Sequence, residues 1–322
     1  MIVSAYIGEG SFNGLRPGDK ERLTHINIAF AVVKNGACSV DHWRNPDKIR
    51  ALIKDKGHIK VILSVGGWGA GGFSDACATE EGREKLAQSL VDIADDYGFD
   101  GVDLDWEYPG IGAAGIDWSP DDKFTYTLWV KAIRDKIGPG KLLTMAAGAS
   151  QICIDNLEID KLLELMDFIN IMTYDHQHRD VCSHHTSLYE SESQSMYGDK
   201  AIRLFEAAGV PLNKLTLGAA FYARVYTGAE GFNKPYDGNV PAWSGGYPDT
   251  MAKVEQAKGA EYDEKAEAAY AYNSEEKIFI TYDSPRSIKA KCDYVKKRGL
   301  LGIMFWEYNC DDADSTLLKA MG

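Results

Sequence analysis

Asp100, Asp103, Asp105 and Glu107 put four acids into eight positions, interleaved with Gly101, Val102, Leu104 and Trp106. Bounded by Gly98 and Pro109, the stretch reads as a β-strand. Successive strand side chains alternate faces, so Asp103, Asp105 and Glu107 project to one side while Val102, Leu104 and Trp106 project to the other. Three carboxylates this close repel one another, and the least costly relief is for one or more to hold a proton at neutral pH. The terminal member, Glu107, is then a candidate general acid.

Two plainer readings compete. One is a charged edge strand in solvent, against which Val102, Leu104 and Trp106 make too apolar an opposite face. The other is a metal-binding cluster, although dedicated magnesium or manganese sites usually draw oxygens from several segments and keep waters.

Seven further strands are predicted around this one. They end or begin at Tyr6 (first), Asn27–Val33 (second), Ile59–Trp68 (third, breaking into Gly66 and Gly67), Leu142–Ala147 (fifth), Phe168–Asp175 (sixth), Leu215–Tyr222 (seventh) and Leu301–Trp306 (eighth). Helices are predicted between them. Asn45-Pro46 opens one, and Thr79 with Glu80 and Glu81 caps the next, which Gly98 stops. Ser119-Pro120-Asp121-Asp122 resembles a capping box with Pro at the first helical position, and Ser284-Pro285 opens a helix closed by Gly299. Strand and helix alternate eight times. The fold class is therefore α/β, a (β/α)8 TIM barrel with a small α+β insertion after the seventh strand. The barrel takes residues 1–225 and 279–322; residues 226–278 are too many for an unstructured loop and form the insertion. In such barrels chemistry sits at the C-terminal strand ends, where Ser64–Trp68, Asp103–Glu107, Met172–Asp175, Tyr222, Arg224 and Trp306 all fall.

Composition narrows the partners. With 35 Lys+Arg against 48 Asp+Glu the formal net charge is -13, and no long basic run is present, so nucleic acid is not an expected partner. The longest apolar runs are strand-length, well short of a membrane span, and no membrane partner is expected. Met1 leads directly into Ile2–Ile7 with no secretory leader before it, which leaves secretion after processing, favoured by the substrate class below, and the cytoplasm both open. Cys38, Cys77, Cys153, Cys182, Cys292 and Cys310 lack CxxC spacing and are read mostly as free thiols. His176, His178, His184 and His185 crowd the loop after the sixth strand, where a metal clamp is conceivable; the reading adopted has no metal and no cofactor.

Asp100-x-x-Asp103-x-Asp105-x-Glu107, followed by Tyr108-Pro109, resembles the signature of family-18 glycoside hydrolases, the chitinases. Ser64-x-Gly66-Gly67-Trp68, Met172-x-Tyr174-Asp175, Phe221-Tyr222-x-Arg224 and Trp306-Glu307 are similar to other motifs of that family, and the insertion resembles that of its deep-cleft branch. The resemblance implies hydrolysis of β-1,4-linked N-acetylglucosamine in chitin or its oligosaccharides, by a monomer. Glu107 would protonate the glycosidic oxygen, and Asp105 would orient the substrate's N-acetyl group so that its carbonyl oxygen attacks the anomeric carbon. Asp103 would hold or share a proton with Asp105, and Tyr174 would steady the acetamido carbonyl. No enzyme carboxylate need act as nucleophile in this substrate-assisted class.

Met172, Asp175, Tyr222 and Arg224 would line the sugar site and Trp306 would floor it, with core packing the alternative for Tyr222 and Trp306. Tyr6 and Ser64 would contact Asp103 from neighbouring strands. Gly67, Phe30 and Trp68 join the candidate substrate contacts, with Trp243 further out; Trp106 points away from the acids. Two alternatives stay open: an endo-acting hydrolase of N-glycan cores and a non-catalytic, lectin-like chitin binder.

Overall fold

The computed structural model describes residues Met1–Gly322. Eight parallel strands close into a barrel: β1 (Ile2–Gly8), β2 (His25–Lys34), β3 (Lys60–Gly66), β4 (Gly101–Asp105), β5 (Leu142–Gly148), β6 (Phe168–Met172), β7 (Leu215–Ala220) and, last in sequence, Gly302–Trp306. The last strand lies between β1 and β7, and β1 pairs with β2 to complete the ring. Helices including Pro46–Lys54, Glu80–Tyr97, Asp122–Ile137, Gly198–Ala207 and Pro285–Arg298 alternate with the strands. This is the (β/α)8 barrel expected from the alternation. No helix is long and apolar enough to cross a membrane, and all six cysteines are free thiols.

Local chemistry explains the element ends. Thr79 accepts the Gly82 amide at 3.1 Å to start Glu80–Tyr97, and left-handed Gly98 stops it. Ser284 and Ser287 cap Pro285–Arg298 reciprocally. The helix expected to open at Pro120 begins two residues later, at Asp122. Asp122 is buried, and its carboxylate accepts from Ser119 N (2.8 Å), Gly110 N (3.2 Å) and Ser74 Oγ (2.7 Å). Those bonds hold Ser119–Asp121 as a turn, so the expected Ser119 cap does not form.

Asp100, at the entry to β4, accepts from Val61 N at 2.8 Å and Lys56 Nζ at 2.5 Å, tying β4 to β3. At the other end of that pair Gly66 stands opposite Asp105. A Cβ on Gly66 would lie 2.0 Å from the Asp105 carbonyl oxygen, and its φ is +121°, so only glycine fits there.

A second, five-stranded antiparallel sheet follows β7. It comprises β8 (Tyr222–Tyr226), β9 (Ala242–Gly246), β10 (Glu261–Asp263), β11 (Ala268–Asn273) and β12 (Ile278–Tyr282), in the order β9-β8-β12-β11-β10. The Gly302–Trp306 strand, in chain order, is β13. Four expected strands end early: β3 stops at Gly66 rather than Trp68, β4 stops at Asp105 and leaves Glu107 just past the strand, and β7 and β6 are also shortened. β7 stops at Ala220; Phe221 still donates its amide to Trp306 O at 2.7 Å and stacks on Phe305 in the main core, centroids 4.1 Å apart, and the chain then passes into the second sheet. Tyr222 therefore opens a strand of the second sheet, with Ala223 opposite Tyr282. β6 stops at Met172, where Thr173 Oγ1 donates to Gly218 O (2.7 Å) and Asp175 takes a positive φ of +60°. Tyr174 and Asp175 are thus on a loop.

Candidate active site

The alternation of β4 buries Asp103 completely inside the barrel, with Asp105 above it at the strand's last position and Glu107 on the segment just beyond. Four donors converge on Asp103: Tyr6 Oη and Ser64 Oγ on Oδ2, both at 2.8 Å, and Thr144 Oγ1 (2.6 Å) and Asn170 Nδ2 (3.5 Å) on Oδ1. Ser64 reaches from the adjacent β3. Tyr6 does not come from a neighbouring strand as expected; it crosses the barrel lumen from β1. Thr216 Oγ1 fixes Asn170 by donating to its Oδ1 at 2.8 Å.

Burial raises the Asp103 carboxyl above its usual range, against the pull of these four hydrogen bonds, which favour the carboxylate. Asp105 has no such support. Burial, then the charges of Glu107 and Asp103, push it well above the carboxylate range, and its Oδ1 is buried without a partner. Four donors thus favour charge on Asp103, whereas burial and the neighbouring acids favour the neutral form of Asp105. Glu107 is raised to about 7, chiefly by burial, with a hydrogen bond from Tyr108 opposing.

These acids open into a cavity of about 750 Å³, within the size range of small-ligand sites. Of the expected residues, Asp105, Glu107, Tyr174, Tyr6, Phe30, Trp68, Met172, Asp175, Tyr222, Arg224 and Trp306 line it. Asp103, Ser64 and Gly67 do not. Asp103 and Ser64 lie beneath, bonded to each other. Gly67 makes room for Phe30, whose ring would be 2.5 Å from a Cβ there, and Phe30 in turn stacks on Trp306 at 5.5 Å and 12°.

Tyr174 is kept protonated by burial and by the acids around it, Asp105 foremost. Its hydroxyl has only the Met304 thioether nearby, at 4.0 Å, and so remains a donor available to a ligand. Burial would raise Asp175, but hydrogen bonds from His185 and Arg224 outweigh it and hold the carboxyl well below its ordinary range. Arg224 Nε is 2.7 Å away and His185 Nδ1 3.6 Å.

The four histidines do not converge on a metal. His184 Nε2 is 3.1 Å from Asp263, His185 faces Asp175, His178 accepts the Asp180 amide, and no group of three or more His, Cys, Asp or Glu is arranged to hold an ion.

Residues 3–311 match the family model described as glycosyl hydrolases family 18. The chain belongs to glycosyl hydrolase family 18. It is 36% identical to Chitinase A1 of Niallia circulans over 309 residues, covering 84% of this chain and 44% of that protein. With Chitinase 1 of Aphanocladium album the identity is 31%, over 83% and 65%. The chain thus spans less than two thirds of the length of these two relatives. Among solved structures, a family-18 N-acetylglucosaminidase from Paenibacillus barengoltzii superposes with a TM-score of 0.92 at 37% identity, covering 99% of this chain and 98% of that one. A chitinase from Rhizomucor miehei superposes at 0.89 with 27% identity, over 100% and 99%.

The family-18 cavity also has walls that the motif reading did not list. Tyr108, Ser150 and Cys153 form the side beside Glu107; Gln177, Ser195 and Met196 form another. Tyr108 sat in the quoted signature, so its position next to Glu107 was a usable signal. Gly148 is a second one in retrospect: a Cβ there would meet Cys153 Sγ at 2.5 Å and the Tyr108 ring at 2.9 Å. Trp243 lines the cavity from β9 while 55% exposed, whereas Trp106 stacks outward on Phe73 at 5.3 Å, away from the acids.

Proposed function

We propose that the protein hydrolyses β-1,4-linked N-acetylglucosamine polymers and oligomers with retention of configuration, using the substrate's acetamido group as nucleophile. The observation that carries this reading is the graded acid column: Asp103 held by four donors, Asp105 pushed well above the carboxylate range with one oxygen unpartnered, and Glu107 raised to about 7. Such a column suits a reaction needing one proton delivered to a leaving group and a second shared internally.

Glu107 gives its proton to the glycosidic oxygen as the C1–O bond breaks. The acetamido carbonyl oxygen, held by the Tyr174 hydroxyl, bonds to C1 from the opposite face. Positive charge then develops on the acetamido nitrogen, and Asp105 accepts its N–H through the free oxygen while passing its own proton toward Asp103. Water next adds to C1 as the bond from C1 to the acetamido oxygen breaks, and gives a proton to the Glu107 carboxylate; the acetamido group re-forms, the proton returns from Asp103 to Asp105, and the product is the β-anomer. Asp175, its oxygens engaged by Arg224 and His185, orients sugar hydroxyls rather than attacking carbon.

The presence of Glu107 together with both aspartates supports an enzyme over a binding protein. A second reading, removal of single N-acetylglucosamine units, draws on the likeness to the Paenibacillus barengoltzii N-acetylglucosaminidase. Mass spectrometry of early products from chitohexaose separates the two: chitobiose and chitotriose are expected. Monomer alone would establish the second reading, and cleavage of a high-mannose glycopeptide with chitohexaose untouched would contradict both.

A further inference from the structure

Lys291 and Asp283 form an ion pair that no step above uses. Their side chains are 0% and 1% exposed, and Lys291 Nζ donates to Asp283 Oδ2 at 2.6 Å. Desolvating both charges is costly, and apolar residues of similar volume would usually serve stability as well or better. What an apolar pair could not do is bind the chain around it. Asp283 Oδ2 accepts from Ala220 N (3.0 Å) and its Oδ1 from Ser287 Oγ (2.7 Å). Lys291 Nζ also donates to Thr186 Oγ1 (2.6 Å), which lies 3.2 Å from Asp283 Oδ2 and 3.3 Å from the Thr173 carbonyl oxygen.

Two of those partners, Thr173 and Ala220, stand just before cavity residues, and a third, Thr186, stands beside a histidine that contacts one. Thr173 precedes Tyr174, Ala220 stands two residues before Tyr222, and Thr186 follows His185, which faces Asp175. Asp283 directly follows β12 of the second sheet, and Lys291 is on the barrel helix Pro285–Arg298. Tyr174 and Tyr222 meet edge to face, centroids 6.1 Å apart, on opposite sides of this junction. Tyr174 is on the loop after β6 and Tyr222 is the first residue of β8 in the second sheet, so neither belongs to a strand of the barrel itself.

We propose that Lys291, Asp283 and Thr186 are positioning residues that fix Tyr174 and Tyr222 relative to Glu107 across the junction between the barrel and the second sheet. The role given to Tyr174 rests on the reading of the preceding subsection. Because misplacing a reacting group by about 1 Å can cost about 10²-fold in rate, loss of the pair is expressed mainly in kcat.

The test compares Thr186→Val, Lys291→Met and the apolar double variant Lys291→Met/Asp283→Leu with wild type, reading kcat and KM on a chromogenic chitobioside alongside Tm. The expected result is a kcat lowered about 10- to 100-fold in Thr186→Val and Lys291→Met, with KM within about twofold. The double variant should recover Tm toward wild type without recovering kcat. Crystals of Thr186→Val, compared with wild-type crystals of the same form, should have Tyr174 or Tyr222 displaced by roughly 0.5 Å or more, the tolerance of a productive site. Wild-type kcat in Thr186→Val, recovery of kcat along with Tm in the double variant, or unmoved tyrosines each overturns the proposal. Should the Lys291 variants not fold, Thr186→Val alone decides. A wild-type protein inactive on every N-acetylglucosamine oligomer would overturn the functional reading instead, and the crystal comparison would still decide this one.

Discussion

The Tyr6 hydroxyl donates to Asp103 Oδ2 at 2.8 Å across the lumen of the barrel, joining strands that are not neighbours in the sheet. With Ser64, Thr144 and Asn170 it makes the bottom of the acid column a place where a carboxylate can be buried without a cation. The proton distribution above it depends on that support.

Tyr6→Phe removes one of the four donors. Hydrogen bonds to the charged form lower a carboxyl pKa, so their loss raises Asp103 and draws the shared proton down from Asp105. The expected outcome is a kcat/KM reduced about 10- to 100-fold, the scale of a disturbed acid–base step, and an acid limb of the pH–rate profile moved to higher pH. Folding stability should fall by about 1.5–3 kcal/mol, as for a lost hydrogen bond to a charged group. A profile unmoved in pH would detach Tyr6 from the proton chemistry.

Glu107 sets the other limb. Raised by burial to about 7, it is the proton donor below that value, and activity should decline as pH rises through about 7. Its folded pKa lies above its ordinary value, so the neutral side chain contributes stability that is fully present below about 4.5 and is lost as pH rises through about 7. A shift of that size corresponds to roughly 3 kcal/mol. Glu107→Gln cannot ionise, so its Tm relative to wild type should climb between pH 5 and pH 8 while turnover falls by several orders of magnitude and oligosaccharide binding persists. A Tm difference independent of pH would argue against the raised Glu107.

Much of this arrangement was legible in the chain, because it rests on local signals. The period-two acid pattern announced which carboxyls share a face, Gly66 and Gly67 marked where the third strand breaks, and capping residues such as Thr79 and Ser284 marked helix starts. What could not be read depends on contacts distant in sequence. Nothing near Tyr6 says that it crosses the barrel, and nothing near Phe221 says that it packs on Phe305 just where β7 ends and the chain passes into the second sheet. Ser119-Pro120 looked like a helix start; buried Asp122 overrode it by binding Ser119 N and Gly110 N itself. Gly67, assigned to the sugar site from its motif, instead accommodates the Phe30 ring behind the lining.

Trp243 is the exposed aromatic of β9 that faces the cavity, with its ring 6.3 Å from that of Tyr222. Being 55% exposed, it contributes little to folding, and Trp243→Ala should leave Tm within about 2 °C, a surface substitution's typical reach. Calorimetry on a Glu107→Gln background should find chitohexaose bound about 3- to 10-fold more weakly, the worth of one aromatic contact, and chitobiose hardly affected. Equal losses for both ligands would place Trp243 at the reacting sugar rather than at the cleft wall.

In the proposed mechanism the acetamido oxygen, not an enzyme carboxylate or a directly attacking water, displaces the leaving group while Asp105 and Tyr174 hold it. Proton NMR of the sugar released from chitohexaose, recorded before mutarotation, tests this most directly. Formation of the oxazolinium and its opening by water are two inversions at one carbon, so the new reducing end is expected as the β-anomer. An initial product that is predominantly the α-anomer would mean a single inversion by water, and the roles assigned to Asp105 and Tyr174 would have to be given up.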